Sequence, residues 1–113
     1  MNSIRIFEPK VTMFTTTVEI PVRDLRVDGI ANGKDVYEAN KIFTNMLNTY
    51  KDPNIKKDCE LCCRTLKWAY TCNGSLKSII NIIGDNKAIV FVFSFNDLEN
   101  LLDFTNNLKV NVG

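Results

Sequence analysis

The chain has 113 residues, a formal net charge of +1, 45% hydrophobic and 24% charged residues, and no histidine. A chain of this length and apolar content can build one core of its own, which excludes a disordered segment. Its near-neutral charge excludes a strongly basic nucleic-acid binder and an acidic nucleic-acid mimic, and the missing histidine excludes Ser-His-Asp and Cys-His catalysis.

Residues 3–7 and 11–22 read as two extended runs joined by Glu8-Pro9-Lys10. The triplet Thr15, Thr16, Thr17 favours a strand, because β-branched side chains are stiff at χ1 and pack well on a pleated surface. A short strand is expected over 26–30. From Arg23 to Asp28, charges alternate with apolar residues, the pattern of a solvated edge strand whose charges discourage further pairing. Asn32-Gly33 ends this region, and 34–51 is predicted to be a helix. Its apolar stripe is Val36, Ala39, Phe43, Met46, Leu47 and Tyr50, with Asn32 as cap and Asp35 in the first turn, where the helix dipole favours a negative charge.

Asp52 and Pro53 open a short predicted helix over 53–63, which hands over to a strand near Thr65. In that strand Leu66, Trp68, Tyr70 and Cys72 alternate with Lys67 and Thr71. A competing helical pattern runs through Ile55, Cys59, Cys62, Cys63, Leu66, Ala69 and Tyr70 with Gly74 as its stop. The propensities of Trp68, Tyr70 and Thr71 favour the strand. Asn73-Gly74 is then a hairpin turn, 75–83 a second strand rich in Ile, with a short helix closed by Gly84 as its alternative, and Gly84-Asp85-Asn86 a second turn. The run 87–95 is apolar on both faces, so it is expected to lie centrally with Ile89, Phe91, Phe93 and Phe95 in the core. A second amphipathic helix is predicted over 97–108 after an Asn96 cap, with Leu98, Leu101, Leu102, Thr105 and Leu108 facing inward and Phe104 widening the stripe. Residues 109–112 are read as a short edge strand.

These elements describe a single α+β domain over 1–113. Its mostly antiparallel sheet combines an N-terminal hairpin with a C-terminal three-strand meander and is covered by two amphipathic helices. The order of elements resembles the longin and roadblock arrangement, a five-stranded antiparallel sheet with flanking helices. The resemblance is one of element order alone and implies a fold, not a function.

Cys59, Cys62, Cys63 and Cys72 form a C-x-x-C-C-x(8)-C pattern that contains the two-residue gap of zinc knuckles. The second ligand pair and any histidine are missing, so no metal or other cofactor is expected. The cysteines read as small buried hydrophobes, with Cys59, Cys62 and Cys63 as candidate reactive thiols. Carboxylates such as Glu99 and Asp103 at helical spacing read as solvated surface, and no Gly-rich phosphate loop is present. Lys56, Lys57, Arg64 and Lys67 cluster beside Trp68 and form the candidate interaction patch. The alternation of Phe91, Phe93 and Phe95 could stack bases, but core packing is the simpler account.

The N-terminal residues lack a hydrophobic signal segment and no run is long enough to span a bilayer, which leads us to expect a cytoplasmic protein with no membrane contact. The richness in Asn, Ile and Lys is typical of accessory proteins from AT-rich genomes, including phages. The expected function is that of a small non-catalytic binding or regulatory protein whose partner is another protein, with a homodimer as one form. A nucleic-acid-binding module is the alternative, and a small-molecule sensor or sequestering protein the third.

Overall fold

The computed structural model describes residues 5–6, 14–23, 25 and 35–111, arranged as seven elements. These are β1 (Arg5–Ile6), β2 (Thr15–Pro21), α1 (Val36–Thr49), α2 (Pro53–Thr71), β3 (Ser75–Ile82), β4 (Ala88–Ser94) and α3 (Leu98–Asn111). The strands form one antiparallel sheet in the order β1-β2-β4-β3. The molecule is an α+β fold, and β4, apolar on both faces, occupies an inner position as the sequence predicts.

The register explains which side chains reach the core. Phe91 pairs with Val18 and Ile79, Phe93 with Thr16 and Leu76, and Ile89 with Ile20 and Asn81. Residues directly opposite share a face, so these rows form the helix-covered side of the sheet. On β3, Leu76 and Ile79 are three residues apart and would fall on opposite faces of a regular strand. A β-bulge between Leu76 and Ser78 takes up the extra residue and returns both to the helix side.

Helices α1 and α3 seat their aromatic side chains on this face. Phe43 meets Phe91 edge-on at 5.7 Å, Phe104 meets Phe93 at 5.1 Å and Phe95 at 5.1 Å, and Phe91 stacks on Phe93 at 5.7 Å. Aromatic pairs of this kind add to the burial of their area. Each helix starts on an aspartate. The Glu38 N–H donates to Asp35 Oδ1, the Asn54 N–H to Asp52 Oδ1, and the Asn100 N–H to Asp97 Oδ1. These bonds satisfy donors that the first helical turn leaves open. The predicted cap Asn32, the strand 26–30 and the turn at Glu8-Pro9-Lys10 lie outside the described residues.

Three expectations are corrected. The strand near Thr65 is helix: α2 continues to Thr71, so β3 and β4 form a hairpin, not part of a three-strand meander. Cys59, Cys62, Leu66 and Ala69 are all fully buried at helical spacing, and that continuous stripe outweighs the strand propensity of a few residues. The threonines accommodate this by bonding back, Thr65 Oγ1 to the Leu61 carbonyl and Thr71 Oγ1 to the Trp68 carbonyl. Finally, residues 109–111 continue α3 and are not an edge strand, and Leu102 is exposed, not inward-facing.

Asn73-Gly74 is accordingly a helix stop. Asn73 takes the left-handed conformation at φ 58°, its N–H donates to the Tyr70 carbonyl, and the Gly74 N–H donates to the Ala69 carbonyl at 2.7 Å. This pair of bonds is a Schellman closure. Gly74 also lies under Phe95: an added Cβ would stand 2.7 Å from Phe95 Cε1 and 3.0 Å from the Ala69 carbonyl oxygen.

Two stability predictions follow from this packing. Phe93→Ala should destabilise the fold by about 3 to 5 kcal/mol in urea melts, since a large buried ring leaves a cavity. Gly74→Ala should cost about 1 to 3 kcal/mol by overpacking against the Phe95 ring. A wild-type melting curve from either variant would contradict the packing described.

Candidate functional site

Helix α2 carries every sequence-predicted site residue and sorts them by its own periodicity. Lys56, Lys57, Arg64 and Lys67 are exposed, whereas Trp68 is half-buried and packs against the core. Lys57, Arg64 and Lys67 recur along one solvent ridge with Glu60 interleaved. The basic residues therefore share a surface, and Trp68, one turn beyond Arg64, lies at its margin, half-buried against the core.

The cysteines follow the opposite face. Cys59 and Cys62 are fully buried, and Cys72 at the helix end is buried as well. Cys63 is half-buried; its Sγ lies 3.7 Å from Thr44 Oγ1, and its carbonyl accepts from Asn40 Nδ2 at 3.1 Å. All four thiols are free. Burial pushes the Cys59 thiol from 9.0 up to about 11, and the charges of Cys63, Asp58 and Glu60 act in the same direction. Burial likewise holds Cys62 well above the ordinary thiol range, and raises Cys63 against an opposing hydrogen bond from Thr44. A thiol with a raised pKa is a poor nucleophile at neutral pH, because the thiolate is the reactive form. Among the described residues, no group of three or more His, Cys, Asp or Glu stands close enough to hold a metal ion.

Asp58, beside these cysteines, is fully buried, and its Oδ2 accepts from the Arg23 N–H at 3.2 Å. A buried carboxylate needs such donors to offset its desolvation. It ties the chain leaving β2 to α2.

Two further surfaces were not singled out by the sequence. The first is a cleft of about 310 Å³ between the start of α1 and the end of α2, lined by Val36, Tyr37, Asn40, Leu66, Lys67 and Tyr70. Tyr37 and Tyr70 are 56% and 60% exposed, with ring centroids 6.2 Å apart, and Lys41 Nζ stands 4.8 Å from the Tyr37 ring centre. The Tyr37 and Lys41 spacing of four residues on a helix is the sequence signal for half of this cleft. Tyr70 gave none, because the strand reading turned it inward.

The second surface is the outer edge of the sheet. β3 pairs only with β4 among the described strands, and Ile80, Ile82 and Ile83 are 50%, 38% and 63% exposed. Ile80 and Ile82 point to the face away from the helices, beside Val90 and Ala88. No helix among the described residues is long and apolar enough to cross a membrane. No protein-family model, curated protein or solved structure matches the chain.

The thiols set a pH dependence. Since the Cys59 pKa is higher in the folded than in the unfolded chain, its contribution to stability is complete below pH 9 and is lost as pH rises towards about 11. Urea melts between pH 8 and 11 should show stability falling with pH, and Cys59→Ala should reduce that slope relative to wild type.

Proposed function

We propose that the protein is a small, non-catalytic, intracellular binding protein that acts through protein–protein contact, and that its β3 edge pairs with the same edge of a second copy. The observation that carries this reading is an eight-residue strand that lies at the edge of the sheet among the described strands and presents exposed isoleucines. An edge strand offers a row of unpaired backbone donors and acceptors, and natural proteins usually guard it with charges or coverage. The part of this edge beyond Lys77 carries no charge within the strand.

The strand suits a twofold pairing with itself. With Asn81 on the axis, Ile80 meets Ile82 of the second copy on the helix-free face, and the opposite ends bring Lys77 towards Asp85 of the second copy. The contact is then apolar at its centre and charge-complementary at its ends, as a self-complementary interface requires. The lack of histidine and the raised thiol pKa values favour binding over catalysis.

Size exclusion with light scattering should give a mass twice the 12.9 kDa of one chain at concentrations above micromolar. Ile80→Lys combined with Ile82→Lys should return it to one chain while leaving thermal unfolding cooperative. A monomeric wild type, or a dimer indifferent to the double substitution, would refute pairing through β3.

A further inference from the structure

The cleft between α1 and α2 differs in character from the sheet edge. Its floor is apolar, from the buried side chains of Val36 and Leu66, and its mouth is formed by the exposed rings of Tyr37 and Tyr70. Its one amide, Asn40 Nδ2, already donates to the Cys63 carbonyl. The cleft therefore offers ring faces and little directional hydrogen bonding. Lys67 lines the rim, and Lys41 stands over the Tyr37 ring. The acids at this end of α1 are Asp35, which caps the helix, and Glu38, which lies a third of a turn round from Tyr37.

We propose that this cleft takes one base of a single-stranded nucleic acid, stacked on one of the Tyr37 and Tyr70 rings and edge-on to the other, since the two planes are tilted by 46°, with Lys41 and Lys67 meeting the flanking phosphates. Stacking on aromatic side chains combined with a basic track is the way proteins hold single strands without reading sequence. An apolar cleft with two tyrosines and two cations matches a flat ring that carries its charge outside the ring, whereas a carboxylate side chain would need donors inside the cleft. The volume of about 310 Å³ falls at the small end of ligand sites, the scale of one nucleotide. The ridge continues beyond the cleft, since Arg64 lies one turn back from Lys67 and Lys57 lies further along the same side, past the single acid Glu60. From Lys57 to Lys67 this ridge runs about 15 Å, enough to follow a backbone past a single nucleotide. Chain length, not the base alone, should therefore strengthen binding.

Fluorescence anisotropy of a labelled twelve-residue oligothymidylate with the full chain tests the proposal. Tyr37→Ala and Tyr70→Ala should each weaken binding roughly 5- to 150-fold, as loss of one stacked base does. Both rings are exposed, so the melting temperatures of these variants should stay at the wild-type value, which separates lost contact from lost fold. Lys41→Ala with Lys67→Ala should lower the steepness of log K against log salt by about 1.4, the share of two phosphates on a single strand. Thymidine monophosphate should compete only weakly. No binding by wild type at low salt, binding indifferent to both tyrosine substitutions, or equal binding of a tyrosine-containing oligoglutamate peptide would overturn the proposal.

Discussion

The structure depends on β4 being apolar on both faces. A strand of this kind is stable only with strands on either side and side chains above it, and it has both: β2 and β3 flank it, and Phe43 and Phe104 close over Phe91 and Phe93. The positions of α1 and α3 follow from those aromatic contacts. Helix α2 completes the cover through the small side chains of Cys59, Cys62 and Ala69 and the larger one of Leu66, which fill the remaining space without polar atoms that demand partners.

The parts of the fold legible in the sequence were those in which periodicity and propensity agree. Val36, Ala39 and Phe43 define α1, and Ile89, Phe91 and Phe93 define β4, because burial at those positions repeats with the period of the element. The stretch from Thr65 to Cys72 was not legible, because its residues satisfy both periods. Trp68, Tyr70 and Thr71 suit a strand by intrinsic preference, and only the burial of Leu66 and Ala69 together with Cys59 and Cys62, one to three turns earlier, decides for helix. Asn73-Gly74 is ambiguous for the same reason. The left-handed residue that makes a tight hairpin also closes a helix, and the difference lies in whether the preceding carbonyls belong to a helix.

The candidate patch was legible as composition but not as geometry. Lys56, Lys57, Arg64 and Lys67 share the solvent side of α2, as their exposure requires, and Trp68, one turn beyond Arg64, lies half-buried at the margin of that side. The exposed aromatics, Tyr37 and Tyr70, come from different helices. A pair that meets only through the packing of α1 on α2 leaves no signal in the local sequence. The isoleucines of β3 pose the converse problem: a run rich in Ile suggests burial, and only the strand order shows that Ile80 and Ile82 lie at an edge and on the side without helices.

The strand order also governs the kinetics of folding. The α1–α2 pair and the β3–β4 hairpin join segments close in the chain, but β2 pairs with β4 across roughly 70 residues of intervening sequence. Of the pairings among the described strands, β2 with β4 carries the largest loop-closure entropy, a cost that slows folding. The local units carry a smaller closure cost. Without β2, one side of β4 would stand open with Phe91 and Phe93 beside it. Synthesis runs from β2 towards β4, so β4 leaves the ribosome with its long-range partner already made.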